Sequence, residues 1–313
     1  MSNEALVKSI LSELAYFDVF EYPLTPMEIW RYSQSSETKL EDVLEVLDSD
    51  PALRDKVDTK WGFYFLKDRE HTVELRLKRY RESESKYQKV KKFARRLSAF
   101  PFVKMIAVCN SLAYSNSRNN SDIDLFIVAE PGRIWTARFY VTAYLKLLNE
   151  RPTEKETKDK ICVSFFVTSE QLNLSSMRDI EPDIYLAHWV KQIVPVYDPE
   201  NIYSQFLQAN RWVEDMYPQC YPMNTSPMRR ILTNGGLRSL QKFYEFFHQS
   251  SLGNQLEKKY KKLQQSKLPT NLREMVNQDT RVVMTDTMLK FHDKDRRAQY
   301  QDDWMQKIRA LGI

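Results

Sequence analysis

Two aspartates at alternate positions, Asp122 and Asp124, open an apolar segment that runs to Val128. Side chains two positions apart on a strand point to the same face, with their Cα atoms about 6.5 Å apart. The apolar neighbours predict a buried strand, in which two carboxylates without a cation would be strongly unfavourable. We therefore expect the pair to hold one metal ion or two close ones. Carboxylate oxygens favour Mg²⁺ or Mn²⁺, which also bind phosphate oxygens.

A second apolar segment, residues 105–109, ends in the small polar pair Asn110 and Ser111. The segment predicts another buried strand, and the residues after the pair favour the start of a helix. Backbone N–H groups and a hydroxyl in such a turn can bind an anion. The sequence thus predicts a phosphate site made by Asn110, Ser111 and Ser121, the last of which directly precedes the aspartates.

This arrangement resembles the DNA polymerase β-like nucleotidyltransferase superfamily, whose pattern is an apolar strand, Gly-Ser, a spacer, an aspartate, an apolar residue and a second carboxylate. Ten residues separate Ser111 from Asp122, which fits the spacing of that pattern. The match covers residues 105–128 directly and extends more loosely to about residue 200. The resemblance implies that Asp122 and Asp124 hold the metal ions and that Ser111 contacts the terminal phosphates of a nucleoside triphosphate.

The chain departs from this pattern at two places. Asn110 replaces the glycine, and asparagine tolerates left-handed backbone angles better than most other residues. The superfamily carries a third carboxylate on a later strand, here residues 161–167, and we expect Ser164 at that place. Without the carboxylate, one metal ligand and a general base worth about 10²- to 10⁴-fold are missing. Asp159 and Glu170 flank the strand and are the candidates to replace it.

Composition is that of a globular protein, with 313 residues, 42% hydrophobic and 28% charged. This length allows two or three domains with their own cores. The net charge of +5 is modest, so nucleic-acid binding would need a local basic patch and is not favoured. The sequence has no apolar run near the roughly 18 residues that span a bilayer and no signal-peptide features at its start. We expect a cytoplasmic protein without a membrane partner.

The cysteines do not form a recognisable ligand set. Cys109, Cys162 and Cys220 are widely spaced, and the first two lie in predicted strands. Buried free thiols are therefore predicted rather than disulfides or zinc ligands. The four histidines have no ligand spacing either.

Residues 1–70 have the pattern of a winged helix-turn-helix. Three amphipathic helices are predicted, followed by a hairpin over residues 57–66. The third helix, residues 37–50, carries six acidic residues and one lysine. Phosphate would repel such a helix in the major groove, because affinity for DNA depends on neutralising backbone charge. A protein-contact or scaffolding role is therefore favoured over DNA binding.

Residues 71–100 are predicted to form a connecting helix. An apolar stripe includes Leu77 and Tyr80, and ten lysines and arginines, among them Arg79 and Lys86, occupy the other faces. Two interpretations stand at this point. The basic faces are a solvated helix surface, or they meet a polyanion such as RNA.

Residues 101–180 are assigned to the nucleotidyltransferase domain and residues 181–313 to a helical C-terminal domain, which makes the fold class α+β. A helix over residues 134–148 carries Arg138, which needs a phosphate, a site aspartate or a structural ion-pair partner. A helix over residues 184–194 is predicted to end at Pro195.

Near the C-terminus, His292, Asp295 and Arg296 have helical i, i+3, i+4 spacing. They form either a solvated helix cap or an accessory site in which Arg296 binds phosphate. His292 and Arg296 are thus accessory candidates, together with Ser164 and Arg138.

The leading hypothesis is a Mg²⁺- or Mn²⁺-dependent nucleotidyltransferase that moves a nucleoside monophosphate from a nucleoside triphosphate to a small-molecule or protein acceptor. One alternative is a catalytically inactive member of the same fold that binds nucleotide or a partner protein. A winged-helix DNA-binding regulator is the third hypothesis.

Overall fold

The computed structural model describes residues 2–219, 226–231, 235–248 and 251–313. Cys220, predicted to be a buried free thiol, lies outside the described residues. Within these ranges the chain is a mixed α/β structure in which helices flank a six-stranded mixed sheet.

The N-terminal part forms the predicted helices and hairpin. Thr25 caps the second helix, since its hydroxyl accepts from Glu28 N while the Glu28 carboxylate accepts from Thr25 N at 2.8 Å. The hairpin turn is tight because Trp61 and Gly62 both have positive φ, as a two-residue turn requires. The elements are α1 (Asn3–Val19), α2 (Pro26–Arg31), α3 (Leu40–Ser49), α4 (Pro51–Arg54), β1 (Val57–Lys60) and β2 (Phe63–Leu66).

The central part supplies three strands that lie next to one another. The first pairs with the second antiparallel, and the second pairs with the third parallel through a helical crossover. The elements are α5 (His71–Leu97), β3 (Val103–Val108), α6 (Asn110–Ala113), β4 (Ile123–Ala129), α7 (Ile134–Leu147) and β5 (Ile161–Thr168).

The C-terminal part contains three strands in addition to helices, and these strands were not part of the predicted helical C-terminal domain. Their strand signal is weak because two of them are very short and the third contains a proline. The elements are α8 (Ile184–Gln192), β6 (Val194–Tyr197), α9 (Ile202–Ala209), α10 (Gly235–His248), α11 (Ser251–Ser266), α12 (Thr270–Met275), β7 (Val282–Met284), β8 (Met288–Phe291) and α13 (Arg297–Leu311).

The sheet order is β6-β3-β4-β5-β8-β7. Pro195, predicted to close a helix, lies instead inside β6. Proline lacks an N–H group and is therefore tolerated only at a sheet edge, which is where β6 lies. The strands that carry the aspartates thus occupy the middle of the sheet.

Two apolar cores cover the two faces of the sheet. Alternate residues of β4 belong to opposite cores: Phe126 lies in the core that includes residues of α1, α8 and α9, whereas Leu125 lies in the core that includes residues of α5 and α7. The first core is continuous with the N-terminal helices. Asp124 has the same parity as Phe126, so its side chain lies on the face that α1 and α8 cover.

Helix α5 differs from its predicted amphipathic pattern. Leu77 and Tyr80, expected in the apolar stripe, are exposed, while Arg79 and Lys86, expected on the basic surface, are buried. Arg79 donates to the Phe20 carbonyl at 3.0 Å, which explains its burial. Polar partners from other elements therefore override the helical periodicity.

The C-terminal helix α13 packs against α1. Trp304 Nε1 donates to the Ser12 carbonyl at 3.1 Å, and Lys307 pairs with Asp18 at 2.7 Å. Among the described residues, no helix is both long and apolar enough to cross a bilayer.

Candidate metal and phosphate site

Asp124 lies at the start of β4, Asp122 lies just before this strand, and Cys162 lies beside them on β5. One donor atom from each of the three side chains can be chosen so that all lie within 4.8 Å of one another. Asp124 and Cys162 are register partners in the parallel β4–β5 pair. The structure therefore brings the two predicted carboxylates together and adds a thiol to them.

Cys162, rather than Ser164, is the β5 residue that pairs directly with Asp124. The register shifts between Asp124 and Phe126, where β5 holds one more residue than β4. A bulge of this kind changes the face to which later residues point. Ser164 nevertheless lies next to Cys162, to which it hydrogen-bonds, and its Oγ also lies 2.8 Å from His292 Nε2.

Electrostatics at the aspartates favour a bound cation. Burial raises the pKa of Asp124 to about 7, and the charge of Asp122 adds to this shift. Burial also raises the pKa of Asp122. Lys86 opposes both shifts, because its positive charge lowers the two pKa values. A divalent cation would relieve the repulsion between the carboxylates.

The three donor groups fit a divalent metal ion, and one of them, the Cys162 thiol, is a soft ligand. Carboxylate oxygens suit Mg²⁺ and Mn²⁺, whereas a thiol is a poor ligand for Mg²⁺ and binds softer ions better. Burial raises the pKa of Cys162, so without a metal the thiol stays protonated. The two aspartates would therefore provide the charged ligands, and the thiol favours Mn²⁺ over Mg²⁺.

Asn110 links the turn after β3 to the aspartates. Its φ of 55° lies in the left-handed region, as expected for a residue that replaces glycine. Trp189 Nε1 donates to Asn110 Oδ1 at 2.8 Å. A hydrogen bond from Asn110 to Asp124 lowers the pKa of that aspartate. Asn110 is therefore held on two sides by side chains from different elements.

The two predicted serines occupy different positions. Ser111 is partly buried and lines a cavity, while its carbonyl accepts from Asn116 N at 2.8 Å. The Ser121 hydroxyl lies 2.8 Å from the Ser117 hydroxyl and donates to the Arg118 carbonyl at 2.9 Å. Ser111 thus faces open space, whereas Ser121 is engaged within its own loop.

Lys86 is a buried positive charge that acts on both aspartates. Its buried Nζ donates to the Ser121 carbonyl at 2.5 Å and pairs with Asp159 at 2.8 Å. Asp159 is therefore already paired with Lys86. Glu170 is exposed and lies just after the opposite end of β5. Neither carboxylate takes the place of the missing third one.

The remaining accessory candidates lie elsewhere. Arg138 donates to Gln264 Oε1 at 2.6 Å and lies over the ring of Phe291, so its partner is neither a phosphate nor a site aspartate. His292 and Arg296 lie in the segment between β8 and α13, so the predicted shared helix face is wrong. Asp295 caps this turn by pairing with Arg297 at 2.9 Å.

Two cavities meet at Asn110. The first has a volume of about 170 Å³, and several cationic side chains, including Lys290, Lys294 and Arg296, line it. The second has a volume of about 210 Å³ and is lined mainly by aromatic rings. Trp189 lines both cavities, and Ser111 lines the second.

Three residues of this site were not predicted from the sequence to belong to it. They are Cys162, Lys86 and Trp189. Cys162 carried a usable signal, since it is a polar residue at the start of a strand after the aspartates. Lys86 was one of many lysines on its helix, and Trp189 lies far from Asn110 in sequence. Only tertiary contact distinguishes these two from their neighbours.

Comparison of the chain with protein-family models, with curated proteins and with solved structures gives no match.

Proposed function

We propose that this chain is a metal-dependent nucleotidyltransferase that transfers a nucleoside monophosphate from a nucleoside triphosphate to a small-molecule or protein acceptor. The observation that carries the proposal is that the Asp122 and Asp124 carboxylates lie together at the start of β4, next to the turn whose Asn110 hydrogen-bonds to Asp124. The antiparallel–parallel order of β3, β4 and β5 supports the nucleotidyltransferase-type fold.

Asp122 and Asp124 would hold Mg²⁺ or Mn²⁺, with Cys162 as a neighbouring soft donor. When bound, the ion neutralises charge on the phosphates and polarises the phosphorus that is attacked. Asn110 keeps Asp124 oriented through its hydrogen bond, and Ser111 offers its hydroxyl to the phosphates. Lys294 and Arg296, in the cationic cavity beside Asn110, would bind the leaving pyrophosphate.

Residues 1–70 support the winged-helix interpretation, because α1, α2 and α3 are followed by the β1–β2 hairpin. The acidic α3 again favours protein contact over DNA. Its exposed residues include Glu41, Asp42 and Glu45. We propose that this part scaffolds the site, since α1 contributes Tyr16 and Phe17 to the second cavity, and Phe20, which follows α1, also lines it.

A second candidate function is nucleotide binding without catalysis. Cys162 favours it, since a thiol whose pKa is raised by burial is a poor general base and a poor ligand for Mg²⁺. Both candidate functions use the same site, and they differ only in whether the bound nucleoside triphosphate reacts.

The test is incubation with each of four labelled nucleoside triphosphates, Mg²⁺ or Mn²⁺, and cell extract. The double variant Asp122→Asn/Asp124→Asn removes the carboxylates, and Asp48→Asn is a matched control on the exposed face of α3. Transfer of label by the wild type and by Asp48→Asn, but not by the double variant, supports the enzyme. Triphosphate binding that needs the aspartates but produces no transfer supports the second candidate. Binding equal in all three proteins overturns both.

A further inference from the structure

The second cavity differs in chemistry from the first. It lies between α1, the turn after β3, α8 and α13, and aspartate, glutamate, lysine and arginine are absent from its described lining. Eight of its eleven lining residues carry aromatic rings. They are Tyr16, Phe17, Phe20, Tyr114, Tyr185, His188, Trp189 and Tyr300. This composition suits an uncharged, planar ligand.

His188 is a polar residue of this cavity whose ring nitrogens make no hydrogen bond within the described residues. It is 1% exposed, and neither ring nitrogen has a hydrogen-bond partner within the described part of the chain. Glu13 Oε2 lies 3.6 Å from Nε2, which is beyond hydrogen-bond distance. Buried polar atoms in proteins are nearly always satisfied by protein, water or ligand. Nε2 has Glu13 as its neighbour, but Nδ1 of this cavity-lining residue has no partner that the described residues supply.

The rings around His188 hold it in a fixed orientation. The Tyr16 ring stacks on the imidazole with centroids 4.3 Å apart and an angle of 18°. Phe17, Tyr32 and Tyr217 contact it at their edges or at a tilt. An imidazole clamped in this way offers a hydrogen bond of defined direction, which is what recognition of a heteroaromatic ring requires.

We propose that this cavity binds an uncharged heteroaromatic ring that hydrogen-bonds to His188. The volume is adequate, since a cavity of about 150 Å³ holds benzene and this one is about 210 Å³. The ring would stack among the tyrosines and phenylalanines, and it would satisfy the imidazole. The cationic cavity on the other side of Asn110 would remain for the anionic groups.

The position of the cavity connects the ring to the transfer site, and this step rests on the proposed function. Asn110 and Ser111 line the cavity, so a ring bound there lies beside the groups proposed to hold phosphate. Two sources supply such a ring, the base of the nucleoside triphosphate or a small-molecule acceptor. Both have the same binding chemistry, and a ligand panel distinguishes them.

The experiment is calorimetric titration of the whole chain without metal, using adenosine, guanosine, cytidine and uridine in one arm and indole, quinoline and benzimidazole in the other. His188→Phe keeps a ring among the aromatic neighbours and removes both nitrogens, and its fold is checked by its melting temperature. His71→Phe, at the exposed start of α5, is the matched control. Loss of the hydrogen bond should weaken binding about tenfold.

Binding of a nucleoside that His188→Phe weakens and His71→Phe does not supports the proposal with the base as the source. Binding only in the second arm, with the same variant pattern, supports it with a separate acceptor. No binding in either arm, or equal binding by His188→Phe, overturns it. The variant Asp122→Asn/Asp124→Asn should bind the ring like the wild type, so a protein that binds the ring but never transfers label refutes the proposed function and leaves this inference standing.

Discussion

Asp124 on β4 and Cys162 on β5 are direct partners across the parallel strand pair. This register places a thiol, and no third carboxylate, beside the two aspartates. The metal preference of the site therefore depends on whether residue 162 offers sulfur or oxygen. Replacing the sulfur with oxygen ligands is the most direct way to test what the site binds.

Cys162→Asp should bind Mg²⁺ more tightly than the wild type, on the order of tenfold. The added carboxylate supplies a hard, charged ligand where the thiol supplies neither property. Cys162→Ser is the matched control, because it removes the sulfur without adding charge. The measurement is calorimetric titration with Mg²⁺. Equal affinity of the Asp and Ser variants would show that position 162 does not face the ion.

Asn110→Ala should lower the free energy of unfolding by about 1 kcal/mol more than Asn110→Gly does. Both variants lose the hydrogen bonds of the asparagine side chain, so their difference isolates the backbone strain at a φ of 55°. Urea unfolding of the two variants measures this difference. Equal stability would mean that the turn relaxes out of the left-handed region.

Lys86→Met should lower the free energy of unfolding by about 1–3 kcal/mol, because the buried ammonium loses Ser121 and Asp159 as partners. It should also raise the pKa of Asp124 further, since the charge of Lys86 lowers that pKa. Lys92→Met, an exposed position on the same helix, is the control. Urea unfolding and NMR titration of the aspartate measure the two effects, and a Lys86 variant as stable as the control contradicts the first.

His188→Phe should remove an acid sensitivity of the fold. Burial lowers the pKa of His188 to about 3, whereas an unfolded histidine titrates near 6.5. Between these values the unfolded chain binds more protons, so the free energy of unfolding falls as the pH falls below about 6.5, by about 2 kcal/mol at pH 5. Above pH 7 both states are neutral at this residue, and the effect vanishes.

The neighbours of His188 do not cancel this sensitivity. Burial raises the pKa of Glu13, so it carries less countercharge, and the charge of Arg31 further disfavours the imidazolium. The measurement is urea unfolding of wild type and His188→Phe at pH 7.5 and pH 5. Glu13→Gln is the control for the neighbouring carboxyl. A stability difference between wild type and His188→Phe that stays constant between the two pH values would be the contrary result.

Local patterns predicted much of the fold. The second helix begins with the capping box of Thr25 and Glu28, and the hairpin predicted over residues 57–66 is present with its turn at Trp61 and Gly62. Caps, tight turns and the alternation of a buried strand depend on residues within a few positions of one another. These local features can therefore be predicted from the sequence.

Predictions failed where distant parts of the chain meet. Pro195 was expected to end a helix, but it lies in β6, which pairs with β3 at the edge of the sheet. Arg79 and Lys86 were expected in solvent, but Phe20 and Ser121 supply buried acceptors for them. Such partners are far away in sequence, and no periodicity encodes them.

The sequence alone determined that Asp122 and Asp124 share one face of a strand and that a left-handed residue, Asn110, precedes Ser111. These are consequences of strand geometry and of the conformational range of asparagine. Tertiary structure alone decided that Cys162 stands beside the aspartates, that Ser164 meets His292, and that His188 lines a cavity without a partner. The register between β4 and β5, the contact of Ser164 with His292 and the packing of α1 against α8 decide these positions, because all three join residues that are remote in the chain.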